Sequence, residues 1–175
     1  MKTKVYVETT IVSYLTGRAT RDLMVAAHQE ETRALWPGLT SDFETYISAL
    51  VYEEVGRGNP EQAQKRLAAI KPFPVLDVQD DARELASRLL SDKAVPEEFP
   101  EEAMHIAVAA VNGIDIVLTW NFAHINNPFK KMLIRQAVEN AGYRCPEIWR
   151  FRVCGGISHW LSAQPHRQQS MKQVV

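Results

Sequence analysis

Glu101-Glu-Ala-Met-His-Ile-Ala-Val-Ala-Ala-Val-Asn-Gly-Ile-Asp-Ile-Val-Leu-Thr-Trp-Asn121 encodes, in one run, a core helix, a stop, a buried strand and a polar strand end. Pro100 suits the first helical position, where a missing N–H costs nothing. Glu101 and Glu102 fall in the first turn, where the positive end of the helix dipole favours carboxylates. From Ala103 to Val111 nearly every residue is apolar or small. A helix apolar on most sides packs inside a domain. Gly113 is a helix stop, and Ile114 to Thr119 is a β-branched run of the kind buried on both faces of a parallel sheet. The helix before a parallel strand starts at the carboxyl edge of the sheet, which is also where that strand ends. Ligands of open α/β sheets bind along this edge. Glu102 and Asn121 therefore point to one shared site. A lone Glu in this position is ordinarily a solvated residue that complements the helix dipole; the surrounding acids argue for more.

The rest of the chain repeats the pattern. Lys4-Val-Tyr-Val-Glu8 reads as a strand ending in an acid, followed by the hydroxyls of Thr9 and Thr10 and a short helix over Ile11–Leu15. Thr20 to Trp36 reads as a long helix with Thr20 as its N-cap, broken by Pro37-Gly38. Arg18 and Arg21 near its start are candidate phosphate contacts, with solvated surface as the plainer reading. Glu44–Ser48 is a second strand flowing into a helix over Ala49–Val55. Glu53 and Glu54 on that helix are alternatives for a site-facing acid. A helix over Glu61–Ile70 follows, then a proline-bracketed strand within Pro72–Val78 that suits a sheet edge. Helices over Asp80–Leu90 and from Pro128 to Ala141 and a last strand over Glu147–Val153 complete the series. Alternating strands and helices predict a three-layer α/β/α domain with a mostly parallel central sheet. Residues 1–153 form that domain, and residues 154–175, polar and without periodicity, form a tail.

Composition narrows the function. The chain has 175 residues, a net charge of −1 and two cysteines, Cys145 and Cys154. Near-neutrality excludes a polybasic coat for nucleic acid or membrane, but not an enzyme touching a few phosphates. Two cysteines give no disulfide framework. Neither a signal peptide nor an apolar run of membrane-spanning length is visible, so the expected location is the cytoplasm. There is no Gly-rich phosphate loop, no Gly-x-Ser-x-Gly elbow and no His-Glu-x-x-His pattern.

What remains is a set of acids, Glu8, Glu54 and Glu102, plus the amide Asn121, all assigned to one sheet edge. Clustered carboxylates repel one another, and a hard divalent cation removes that cost. Such a site suits in-line attack on a phosphodiester.

Four segments carry a resemblance to a known family. Val5-Tyr-Val-Glu-Thr-Thr-Ile11 resembles the opening strand of PIN-domain proteins, which usually ends in Asp-Thr-Ser or similar. Ile47-Ser-Ala-Leu-Val-Tyr-Glu-Glu54 resembles the second motif, whose acid falls six residues after the serine and so selects Glu54 over Glu53. Glu102-Ala-Met-His-Ile-Ala107 is similar to the usual Asp-Ala-Leu-His-Ile-Ala, and Leu118-Thr-Trp-Asn-Phe-Ala-His-Ile125 is similar to the fourth motif. The resemblance spans about Lys4 to Val153, and the four segments stand in the family's order and spacing. It implies a VapC-like toxin of a bacterial toxin–antitoxin pair: an endoribonuclease dependent on Mg²⁺ or Mn²⁺, with an antitoxin protein as partner, RNA as substrate, and usually a homodimer. On this view Glu8 and Glu102 hold the metal, Glu54 assists through a bound water or second ion, and Asn121 completes the shell. Thr10 and Thr119 are supporting hydroxyls, His105 either orients Glu102 or a water or is a hydrogen-bonded core histidine, and Trp120 either stacks a base or packs against the strand. The chain departs from the family in having Glu where Asp is usual and Asn at position 121. The longer arms and lower charge predict weaker metal binding, completed by substrate phosphate. The alternative is a catalytically weak module that acts by binding protein or RNA.

Overall fold

Five parallel strands form the middle layer of the computed structural model, which describes residues 2–121 and 128–149. They are β1 (Lys4–Val7), β2 (Glu44–Ser48), β3 (Val75–Leu76), β4 (Ile116–Leu118) and β5 (Glu147–Trp149), in the spatial order β3-β2-β1-β4-β5. Tyr6 lies opposite Tyr46 on one side and Val117 on the other. The chain builds outward from β1 to β2 and β3, then returns to build β4 and β5 on the other side. Because crossovers between parallel strands are right-handed, opposite directions of travel put the helices on opposite faces. One group is α1 (Thr9–Thr16), α2 (Leu23–Ser41), α3 (Ala49–Val55) and α4 (Pro60–Ile70), with α1 packed on the other three. The second is α5 (Asp80–Ser91), α6 (Pro100–Val111) and α7 (Pro128–Asn140), with α5 packed on both others. The architecture is the three-layer α/β/α sandwich that the alternating pattern predicts.

The strands are short, and they are buried because their side chains are. Val5, Tyr6 and Val7 in β1 and Leu118 in β4 are wholly inaccessible, and Ile116 and Val117 nearly so. α6 is the central element of its layer, with Ala103 and every residue from His105 to Ala110 buried. It ends where Gly113 takes φ 63°, a left-handed conformation glycine adopts without a Cβ clash. β3 lies at the edge of the sheet, as its flanking prolines predict.

Two boundaries differ from the sequence reading. The long helix starts at Leu23, capped by the Asp22 side chain, which accepts from Met24 N and Val25 N, rather than by Thr20. It then runs through Pro37-Gly38 to Ser41. Leu39 is wholly buried beyond the proline, and Trp36 packs against Phe73 with ring centroids 5.4 Å apart. That burial outweighs the roughly 3 kcal/mol that an internal proline costs. The segment Phe122–Ile125, the end of the last predicted strand and residues 154–175 lie outside the described residues. Among the described residues no helix is long and apolar enough to cross a membrane.

Candidate metal centre

β1 and β4 are neighbours at the point where the direction of building reverses. In an open parallel sheet the strand ends diverge there and leave a crevice at the carboxyl edge. Glu8 follows β1 immediately and is also the N-cap of α1, its side chain accepting from Thr10 N at 3.1 Å. Thr119, Trp120 and Asn121 follow β4 across the same crevice.

Glu8 is buried and fixed. Its Oε2 accepts from Thr10 N, from the Thr10 hydroxyl, and from the Thr119 hydroxyl at 2.9 Å. Both hydroxyls also act as acceptors, Thr10 Oγ1 from Trp120 N at 2.9 Å and Thr119 Oγ1 from Asn121 N at 2.9 Å. One carboxylate oxygen is thereby occupied by three donors. The other, Oε1, lies 3.9 Å from His105 Nε2.

Glu54 enters from α3. It lies at the sixth position of a helix that starts directly after β2, capped by the Ser48 hydroxyl accepting from Val51 N at 3.3 Å. Glu53, its neighbour, points to solvent and pairs with Arg57 at 2.6 Å. Glu54 instead accepts from the Thr9 hydroxyl and stands 3.3 Å from His105 Nε2 through Oε2. Burial pushes the Glu54 carboxyl up; the His105 hydrogen bond and charge, with smaller help from Thr9 and Arg57, more than offset it and leave the group below the usual carboxylate range.

His105 is the side chain on which the cluster converges, and it is only 3% exposed. Nε2 faces the two carboxylates, while Nδ1 lies 2.7 Å from the Tyr6 hydroxyl. The Tyr6 hydroxyl lies 2.7 Å from Ser48 Oγ. Burial, with the nearby charges of Glu8 and Glu54, pushes the Tyr6 phenol far above its ordinary range despite the Ser48 bond, so it remains neutral. Tyr6 and Ser48 were not singled out from the sequence. The available signal was a tyrosine inside a buried strand, whose hydroxyl must find a partner there.

Glu102 is also buried, and its Oε1 accepts from the Asn121 side-chain amide. It is not the solvated dipole-complementing residue of the plainer reading. It stands one turn before His105 on α6; among the described residues Glu8, Glu54 and His105 form a donor group whose ligand atoms all lie within 4.8 Å of one another. The sequence reading paired Glu8 with Glu102; the structure brings His105 and Glu54 to Glu8 and sets Glu102 beside Asn121. Trp120 is 5% exposed, stacked on His28 at 4.0 Å, with Nε1 donating to Thr32 Oγ1 at 2.8 Å. It packs, and its face is not open to a base. Arg18 is exposed and 3.9 Å from Glu61.

The donor set fits a divalent cation. Bonds of about 2.1 Å separate neighbouring ligand atoms by about 3 Å and opposite ones by about 4 Å. The spacings of 3.3 Å and 3.9 Å fall in that range. Two carboxylates and one imidazole also leave room for water and a substrate oxygen.

No family model matches the chain, and no curated protein matches it. Among solved structures, a chain from the crystal structure of VapBC2 from Rickettsia felis bound to a DNA fragment from their promoter is similar, with a TM-score of 0.51 and 15% identity. The match covers 84% of this chain and 99% of that one. At that identity the likeness is one of fold.

Proposed function

We propose that this protein is a PIN-like, divalent-metal-dependent endoribonuclease, the toxin of a toxin–antitoxin pair. The observation that carries the reading is the convergence of Glu8, Glu54 and His105 at the β1/β4 crevice. The fold shared with a chain of VapBC2 supports the toxin class and an antitoxin partner. On this reading residues 1–153 are the nuclease domain, the substrate is RNA, the cofactor is Mg²⁺ or Mn²⁺, and the protein works in the cytoplasm as a homodimer.

Glu8 and Glu54 would hold the ion, and Glu102, the other acid expected to bind it, stands on the same edge beside Asn121. When bound, the ion polarises the phosphoryl oxygen and raises the nucleophilicity of water for in-line attack. Thr10 and Thr119 keep Glu8 from turning away by occupying one of its oxygens. Thr9 does the same for Glu54. Glu102 accepts the side-chain amide of Asn121, so the Asn121 carbonyl oxygen is directed away from Glu102.

A second reading has an observation in its favour. His105 Nε2 faces Glu8 and Glu54 at 3.9 Å and 3.3 Å, where an imidazolium would offset one of the two carboxylate charges with no ion present. The protein would then act by binding alone. Incubation of the purified chain with total tRNA and rRNA, with Mn²⁺ or Mg²⁺ and with chelator, separates the two. Cleavage that needs the ion and falls at least about a hundredfold in Glu8→Gln supports the nuclease. Cleavage indifferent to chelator, or equal in Glu8→Gln, rules it out.

A further inference from the structure

We propose that His105 Nε2 is itself a ligand of the ion, held in its binding tautomer by the Tyr6–Ser48 hydroxyl pair, and that the site therefore prefers a divalent first-row transition ion, for which Mn²⁺ serves as the probe, over Mg²⁺. The inference rests on the metal-site reading above and names one more ligand and the class of ion.

Tyr6 has one hydroxyl proton and two partners, Ser48 Oγ and His105 Nδ1, each at 2.7 Å. Three complete arrangements exist. In the first, Ser48 donates to Tyr6, Tyr6 donates to Nδ1, and Nε2 carries the proton and donates to Glu54. In the second, Nδ1–H donates to Tyr6, and Tyr6 donates to Ser48, which also accepts from Val51 N. Nε2 then presents a lone pair to two carboxylates at 3.3 Å and 3.9 Å, or, in the third arrangement, a second ring proton with the hydroxyl directions unchanged. A buried lone pair facing anions is stable only with a cation between them. The second arrangement is thus the ion-bound one, the ion standing where the third arrangement has a ring proton.

Metal-binding histidines generally donate their other ring N–H to a fixed acceptor, which sets the tautomer. Tyr6 supplies that acceptor from the central strand, wholly buried. Imidazole is a poor ligand for Mg²⁺, which favours oxygen and surrenders water reluctantly. Later first-row ions accept it readily.

The test uses the full chain stripped by chelator and titrated with Mn²⁺, in competition with Mg²⁺. Free Mn²⁺ is followed by its electron paramagnetic resonance signal, and bound Mn²⁺ by pulsed measurement of nitrogen hyperfine coupling. The expected result is one tight Mn²⁺ with an imidazole nitrogen coupling that His105→Gln abolishes, and Mg²⁺ binding at least about tenfold weaker. Tyr6→Phe should retain the coupling and lose about tenfold or more in affinity. If His105→Gln does not fold, a variant with His28, His124, His159 and His166 replaced by Gln, which leaves His105 as the one imidazole, must keep the coupling. Mn²⁺ bound without nitrogen coupling, or equally well by His105→Gln, overturns the His105 assignment and leaves the carboxylate site standing. Absence of Mn²⁺ binding by the wild-type chain overturns both. Unchanged affinity in Tyr6→Phe overturns the role of the hydroxyl pair.

Discussion

The hydroxyls of Thr10 and Thr119 donate to the same oxygen, Glu8 Oε2, from opposite sides of the β1/β4 crevice. Each also accepts a backbone N–H from the chain leaving β4, Trp120 N at Thr10 and Asn121 N at Thr119. The carboxylate is therefore built into the junction between two strand ends. Its position is set by backbone, and its second oxygen is left for His105 and an ion. Preorganisation of this kind keeps acceptors in place without a cost at the moment of binding.

Thr119→Val tests the junction directly. It preserves shape, removes a donor to Glu8, and leaves Asn121 N without its acceptor. Loss of a hydrogen bond to a charged, buried group should cost about 1–3 kcal/mol. Urea denaturation should show the loss as a lower midpoint. Mn²⁺ affinity should fall about tenfold, since supporting hydrogen bonds to ligands have effects of that size. A variant with wild-type midpoint and wild-type affinity would mean the bond to Glu8 contributes nothing.

Glu53 and Glu54 are adjacent and should behave oppositely. Glu53 lies in solvent with Arg57, and Glu53→Gln should change stability by no more than about 0.5 kcal/mol. Glu54→Gln should remove the rise in Tm that Mn²⁺ causes in the wild type. It should also change the acid side of the stability profile. The folded protein holds Glu54 below its ordinary 4.5, so the unfolded chain takes up its proton first as pH falls. The stabilisation is present above the ordinary value and is lost as pH drops through the lower folded one. Urea midpoints from about pH 6 to about pH 3 should therefore fall less in Glu54→Gln than in the wild type. Parallel profiles would refute the ion pair with His105.

The sequence showed the sheet edge better than the pairings along it. β2 and α3 follow the predicted Glu44–Ser48 and Ala49–Val55, and α6 opens at Pro100, because β-branched runs, a capping serine and an N1 proline are local signals. Glu8, Glu54 and Asn121 could be assigned to one edge for the same reason: each ends a strand or follows one. His105 could be placed near the site, but the partners of its ring could not be read. They are Tyr6, ninety-nine positions away in sequence, and through it Ser48 at the end of another strand. Nor could Trp120 be resolved between stacking and packing, since its partners His28 and Thr32 come from α2. Local chemistry fixes which elements form and where their ends fall. Which side chain meets which across the crevice is set by the register of β1 against β2 and β4.

Cys145 offers a control remote from the metal centre. The thiol is buried and donates to the Pro146 carbonyl at 3.4 Å. Burial pushes it up to about 11 from an ordinary 9.0. Only the thiolate reacts with disulfide reagents, so in a Cys154→Ser background Cys145 should be modified at least about tenfold more slowly in the folded protein at pH 8 than in denaturant. The sign for stability follows from the same shift. The unfolded chain loses this proton near 9 and the folded one near 11, so the contribution is complete below 9 and disappears as pH rises across that interval. Rapid modification of the folded protein at pH 8 would contradict this burial.

Pro37 lies inside α2, where it has no N–H to give to the carbonyl of Arg33 and its ring crowds that carbonyl. The helix continues because Leu39 is buried beyond it, and because Thr40 Oγ1 and Ser41 Oγ donate to Pro37 O at 2.7 Å and 3.2 Å. Pro37→Ala should restore the missing helical bond and relieve the crowding, a gain of up to about 3 kcal/mol. Against it stands the added freedom of the unfolded chain, about 0.4–1 kcal/mol. The net effect should be stabilisation of about 1–2 kcal/mol, read as a higher urea midpoint at unchanged slope. RNA cleavage and Mn²⁺ affinity should not change, because Pro37 touches none of Glu8, Glu54 or His105. A lower midpoint would show that a bend at Pro37 is needed to seat Trp36 against Phe73 and Leu39 in the core, and that the proline is part of the packing of α2.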